Sequence, residues 1–171
     1  MDFVYILAQV FAIIACAFYT ISVQCKKRKT ILLLLFIIGN IIGAIGLLLL
    51  KAYVGALIQI VFGIETFINY ILEIKKKKNT PMFVVIYIGL SVLVSAVAFK
   101  NIVDLIPLVC AVLHTVTIIQ EKERKIRYTN LISLILWVPY YIAFLAWVNL
   151  ASTLFIIVSN IISIFRYDFK K

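Results

Sequence analysis

Residues from which catalytic and metal centres are usually built are scarce in this chain. Among 171 residues there are seven acidic side chains, one histidine and three cysteines. Cys16 and Cys110 lie inside apolar runs and Cys25 lies beside a basic cluster. An odd count with no close pairing excludes a disulfide framework. No nucleophile–base arrangement, glycine-rich phosphate loop or metal-ligand spacing is present, so an enzyme, a metal and a cofactor are not expected. The opening segment MDFVYILAQVF carries an acid and no basic residue. No small-residue cleavage site follows it, so a cleaved signal peptide is not expected either.

What is abundant is apolar surface. The chain is 65% hydrophobic, with a mean hydropathy of +1.15. One soluble core of this size could not hide that much, and apolar runs of about 18 or more residues recur along the whole length. Seven segments can be marked, at 3–24, 31–50, 52–74, 81–99, 101–120, 128–147 and 148–165. Each approaches the ~20 residues needed to cross the hydrocarbon as a helix. Asn79-Thr80-Pro81 reads as a cap with proline in the first turn of the fourth.

The net charge of +10 would suggest nucleic acid in a soluble protein, but here it sorts by connection, and nucleic acid is not expected as a partner. Alternate connections hold Lys26, Lys27, Arg28 and Lys29, then Lys75 to Lys78, then Lys122, Arg124, Lys125 and Arg127, with Arg166, Lys170 and Lys171 in the tail. The opposite side holds only Lys51 and Lys100. Fifteen against two places the basic side in the cytoplasm, with the N-terminus outside and the C-terminus inside. Glu73, Glu121, Glu123 and Asp168 sit beside these clusters and read as a solvated rim.

The chain also repeats itself. Shifted by 96 residues, Gln24 falls on Gln120, Lys26 on Lys122, Arg28 on Arg124 and Lys29 on Lys125, without a gap. Spans one to three thus correspond to spans five to seven, with span four as a linker. The expected units are 1–78, 79–100 and 101–171. Both three-span units run in the same direction, which makes them parallel repeats about an axis along the membrane normal.

A glutamine at the end of a unit's first helix, followed by a basic run, resembles a degenerate PQ-loop of the SWEET and SemiSWEET superfamily, although Val23 and Ile119 stand where that motif has proline. From Gln9 through SVQCKKRKT to the closing FRYD, the chain is similar to the YgjV family of bacterial inner-membrane proteins. That resemblance covers nearly all 171 residues. It implies an all-α membrane protein of seven transmembrane helices in a 3+1+3 arrangement, placed in the bacterial inner membrane, and no particular substrate.

Polar groups at membrane depth usually face a bundle interior. One helical stripe of span three carries Gln59, Phe62, Glu65, Thr66 and Asn69, and span seven carries Ser152, Ile156, Ser159, Asn160 and Ser163. By the 96-residue shift these stripes should meet across the pseudo-twofold. Asn40 and Trp137 lie at the centres of spans two and six. In the SWEET-like fold, asparagines and tryptophans at mid-depth frame a sugar, so Asn40, Glu65, Trp137 and Asn160 are the residues that resemblance nominates as substrate-binding. Glu65 stands where asparagine is expected, which leaves cations or amines open. Asn, Ser and Thr also glue membrane helices together, and Gly39-x-x-x-Gly43 is a packing pattern. Glu65 and His114 are the candidates for proton coupling. Gly43, Pro107 and Pro139 are the candidate hinges. Arg166 should snorkel to the headgroups.

Two functions follow. One is a small-solute transporter or facilitator working by alternating access between two three-helix bundles; the other is a receptor-like or partner subunit on the same fold. Membrane lipids and an unidentified small polar solute are the expected partners, and lipid-facing small residues permit homo-oligomers.

Overall fold

A computed structural model describes residues 3–24, 29–77, 80–99, 101–120, 122–143 and 146–169. Cys25, Lys26, Lys27, Arg28, Lys78, Asn79, Lys100, Glu121, Lys170 and Lys171, named above, lie outside the described residues. The described chain is helical throughout, in seven helices: α1 Phe3–Gln24, α2 Lys29–Leu49, α3 Tyr53–Ile74, α4 Pro81–Ala98, α5 Leu105–Ile118, α6 Glu123–Ala143 and α7 Trp147–Ile164. A 3-10 turn, Ile102–Asp104, leads into α5, and a π-helical turn, Phe165–Phe169, ends α7.

Five helices are long and apolar enough to cross a membrane: α1, α2, α3, α4 and α7 with its π turn. The other two fall short for physical reasons. α5 has 14 residues, about 21 Å at 1.5 Å per residue. α6 begins five residues earlier than its apolar run suggests, so Glu123, Arg124, Lys125 and Arg127 are wound into its start. Its apolar part, residues 128–143, reaches about 24 Å. The basic cluster expected as a connection is therefore partly helix, because the Ile126 amide bonds back to the Lys122 carbonyl at 3.2 Å.

The connections are tight where they can be described. At the end of α2, Lys51 takes a left-handed conformation (φ 59°). Its amide bonds to the Leu48 carbonyl at 3.0 Å, and the Ala52 amide bonds to Leu47 at 3.0 Å. That pattern caps a helix end by returning two orphan carbonyls. Lys76 (φ 50°) ends α3 the same way, with Lys77 bonded to Leu72 at 2.8 Å and Lys76 to Glu73 at 3.1 Å. Pro81 opens α4 as expected, where a missing N–H costs nothing, while the Thr80 side chain makes no cap bond.

Successive helices pack on each other: α1 on α2, α2 on α3, α5 on α6 and α6 on α7. The chain closes through α1 against α7 and α3 against α5, and α4 lies on α3 and α5. α4 shows the membrane pattern most plainly. Its buried residues are Tyr87, Ser91 and Ser95, one turn apart, whereas Val85 and Val97 are 71% and 82% exposed. Polar groups face the bundle and apolar ones face outward, the arrangement lipid selects.

Candidate functional site

A small cavity of about 80 Å³ lies at the middle of the bundle. Six helices build its wall and α4 does not: Tyr19 of α1, Phe36 and Asn40 of α2, Gln59 and Phe62 of α3, His114 of α5, Asn130, Ser133, Leu134, Trp137 and Tyr141 of α6, and Thr153 and Ile156 of α7. Among the described residues, no acidic side chain, lysine or arginine is on that wall. Trp137 stacks on Tyr141 at 5.4 Å between centroids and meets Tyr140 edge-on at 5.2 Å. The Tyr19 hydroxyl donates to Asn40 Oδ1 at 2.7 Å.

Two buried polar atoms of the wall have no partner among the described residues, Asn40 Nδ2 and Gln59 Oε1. One is a donor and the other an acceptor. Left unmet, a buried group of this kind costs about 1–3 kcal/mol, so both are groups that a bound polar molecule would satisfy. The Gly39-x-x-x-Gly43 pattern seats these side chains. A Cβ on Gly39 would stand 2.8 Å from the Tyr19 ring, and one on Gly43 would collide with Gln59 Oε1.

The wall repeats in pairs. Phe36 and Asn130, Asn40 and Leu134, Gln59 and Thr153, and Phe62 and Ile156 all line the cavity, and each pair is 94 residues apart. The α2–α3 and α6–α7 corners share the same offset: Ala52 and Ala146 both have φ −82° and ψ 66°. Each donates back to the helix before it, Ala52 to Leu47 and Ala146 to Tyr141. The local register is thus two residues shorter than the 96 read from the Gln24 and Gln120 segments. Trp137 then stands opposite Gly43 and Asn160 opposite Thr66.

Of the four residues nominated from the sequence, Asn40 and Trp137 meet at this cavity. Glu65 and Asn160 do not line it. Glu65 is fully buried and turned toward α4 and α5, where Thr115 Oγ1 donates to Oε2 at 2.9 Å and Ser91 Oγ to Oε1 at 3.5 Å. Asn69 donates to the Glu65 backbone carbonyl at 2.8 Å. His114, the preceding neighbour of Thr115, points the other way, into the cavity wall. It stacks on Phe62 at 4.0 Å, and its Nε2 lies 3.2 Å from Thr66 Oγ1. The Thr66 hydroxyl also bonds the Phe62 carbonyl at 2.7 Å. Glu65 and His114 therefore hold separate partners. The two polar stripes converge only in part: Gln59 and Phe62 of α3 and Ile156 of α7 line the same cavity, while Glu65 and Asn160 do not.

Asn160 belongs to a second polar cluster, at the Gln24 end of the bundle. Its Nδ2 donates to the Arg127 carbonyl at 3.0 Å. Arg127 and Asp168 form a two-bonded ion pair, at 2.8 and 3.2 Å, with both side chains only 5% exposed. Asp168 is thus no solvated rim acid. Its buried partner is an arginine that hydropathy assigns to a loop. Glu73 does keep to the rim, paired with Lys29 at 3.0 Å and 37% exposed. Gln24 Nε2 donates to both Ser159 O and Ser159 Oγ at 2.9 Å, tying α1 to α7. Gln120, at the matching position just past α5, donates instead to the Val116 carbonyl at 3.1 Å.

The candidate hinges differ in setting. Pro107 is the third residue of α5, in the first turn, where no N–H is needed. Pro139 is interior to α6, between Trp137 and Tyr140, and removes a backbone bond there. α2 runs unbroken through Gly43. Arg166 is exposed, as a snorkelling residue should be, with its guanidinium 5.4 Å from the Tyr167 ring.

Two more crevices continue from the central cavity toward the Lys51 end. One of about 50 Å³ shares Tyr19, Gln59, Tyr141, Thr153 and Ile156 with it. The other, about 240 Å³, lies beyond Leu47 and Tyr141 and reaches Tyr5, Gln9 and Lys51. Tyr19, Tyr141 and Thr153 were not foreseen from the sequence, and Gln59 only as helix glue. The run Trp137-Val-Pro-Tyr-Tyr141 was the available signal, since the i, i+3, i+4 spacing of Trp137, Tyr140 and Tyr141 gathers three large aromatics on one helical face.

A family model described as a bacterial inner membrane protein, Imp-YgjV, matches residues 6–171. The chain belongs to that family. No curated protein and no solved structure matches it.

Proposed function

From that membership, we propose that this inner-membrane protein carries a small, neutral, polar solute through the bundle by alternating access, without catalysing a reaction. Seven crossings, with the N-terminus outside and the C-terminus cytoplasmic, form two three-helix units, 1–78 and 101–171, joined by α4 within 79–100. The closing contacts support this reading, because exchanging the units turns the α1–α7 contact into the α5–α3 contact. Kinship with PQ-loop proteins is part of the same proposal.

The observation that carries it is the cavity wall. Both units contribute, α4 does not, and the wall offers an aromatic platform in Trp137 beside an unpartnered donor on Asn40 and acceptor on Gln59. Pockets for small ligands combine apolar walls with a few placed polar groups in this way. With no acidic side chain, lysine or arginine among the described residues of the wall, a neutral solute fits better than a cation or amine, and the proposed binding set narrows to Asn40, Gln59 and Trp137. At about 80 Å³ the cavity has room for a few waters, well below the ~300 Å³ at which ligand pockets begin. This is then a contracted state, and carriage requires the units to part. Gly43 and Pro139 flank the cavity where such bending would act. Glu65 and His114 remain the groups proposed to couple protons.

The test is ligand-dependent unfolding of the purified protein, with sugars, polyols and amides compared with amines and organic acids. Stabilisation by a neutral solute that is lost in Trp137→Ala supports the reading. The small cavity volume favours a second reading, a receptor-like or partner subunit. That reading predicts no stabilising solute, and a partner protein that co-purifies with the chain. The orientation has its own check: a reporter fused after Lys171 should read cytoplasmic.

A further inference from the structure

At the same end of the bundle as Arg127, a groove of about 810 Å³ runs between the end of α3 and the start of α4. Its volume lies within the range of ligand pockets, about 300–1,000 Å³. Lys29, Lys76 and Lys77 stand on its rim with one acid, Glu73. Glu73 is matched by Lys29 at 3.0 Å, so the two remaining lysines leave an excess of positive charge. Lys76 and Lys77 both sit in the left-handed turn that caps α3. The floor is different in kind: Leu72, Val84 and Val85 are apolar. Val85 is 71% exposed on a helix whose polar side faces inward, so the groove opens sideways into the bilayer rather than only into water.

We propose that this groove binds an anionic phospholipid, its phosphate on Lys76 and Lys77 and an acyl chain along Leu72, Val84 and Val85. A soluble anion would use the lysines and leave the apolar floor bare, and a zwitterionic lipid would leave the charge unmatched. Basic pockets between membrane helices at the headgroup level hold anionic lipids in this manner. The site requires only that the helices span a membrane, and it holds whether or not the central cavity carries a solute.

The experiment compares retention of phosphatidylglycerol and phosphatidylcholine by native mass spectrometry of the intact protein released from mixed nanodiscs. Wild type should retain phosphatidylglycerol preferentially. Lys76→Gln with Lys77→Gln should weaken that retention roughly thirtyfold, at about 1 kcal/mol per lysine and tenfold per 1.4 kcal/mol. Lys122→Gln with Lys125→Gln, which removes the same charge at the start of α6, should leave it within about twofold. Equal retention of the two lipids overturns the proposal. So does an equal loss in both double variants, which would mean a general surface potential, or competition by glycerol phosphate at concentrations matching the lipid, which would mean a site for soluble anions.

Discussion

Asp168→Ala should be the most damaging single change at the Arg127 end of the bundle. The reason is what it leaves behind. Arg127 is 5% exposed, and two of its nitrogens bond Asp168 at 2.8 and 3.2 Å. Its third, Nη1, already has no partner among the described residues. Without Asp168 the guanidinium is a buried charge with no acceptor, and breaking a buried pair from one side costs about 3–5 kcal/mol. At this chain length about 2–4 °C of melting temperature corresponds to each kcal/mol, so a fall of roughly 6–20 °C is expected in mild detergent, followed by tryptophan fluorescence. Removing both charges in Arg127→Met with Asp168→Leu should recover most of the loss, since apolar replacements for a buried pair are often neutral or better. The reasoning fails if the single variant melts within about 2 °C of wild type, or if the double variant is no better than the single.

Three other changes have expected outcomes. Lys51→Gly relieves a left-handed side chain at the end of α2 and should stabilise by about 1 kcal/mol, read as a higher melting temperature; a lower one would contradict the assigned turn. Gly43→Ala puts a Cβ against Gln59 Oε1 and should cost about 1–3 kcal/mol by overpacking, with Gln59→Ala restoring the loss in the double variant. Glu65→Gln keeps one acceptor oxygen, its amide can donate to the other hydroxyl, and Thr115 can turn its proton to the Ala111 carbonyl at 3.1 Å. It should therefore unfold within about 1 kcal/mol of wild type, whereas Glu65→Leu should cost about 1–3 kcal/mol by removing both carboxylate acceptors. If Glu65→Leu is the more stable protein, the α3–α4–α5 polar cluster contributes nothing.

Helix positions were legible in the sequence, because apolar runs bounded by lysines and prolines leave the chain few alternatives. The start of α6 was not. Hydropathy sends Arg127 to solvent, and only a partner 41 residues away, Asp168, makes its burial tolerable. The direction of Glu65 was also hidden. A helix packed on three neighbours has no single apolar face, so the stripe through Gln59, Phe62, Glu65, Thr66 and Asn69 does not say which neighbour each residue meets. In the fold Gln59 and Phe62 face the cavity while Glu65 faces Ser91 and Thr115. The 96-residue offset came from the Gln24 and Gln120 segments. Around the cavity the offset is 94, and either offset sets Asn160 beside Glu65; what holds Asn160 away from the cavity is its bond to the Arg127 carbonyl. Asn40 and Trp137, nominated by mid-span position alone, both line the cavity.

The measurement that bears most directly on the central cavity is thermal unfolding of the wild type against Asn40→Leu, Trp137→Ala and Glu65→Gln, each with a panel of neutral polar solutes. A solute at a hundredfold excess over its Kd should stabilise wild type by about 2.7 kcal/mol. The shift should vanish in Asn40→Leu and Trp137→Ala and persist in Glu65→Gln, because only the first two residues line the cavity. A panel without any shift in well-folded protein, or a shift that survives Trp137→Ala, would contradict a solute site at this cavity.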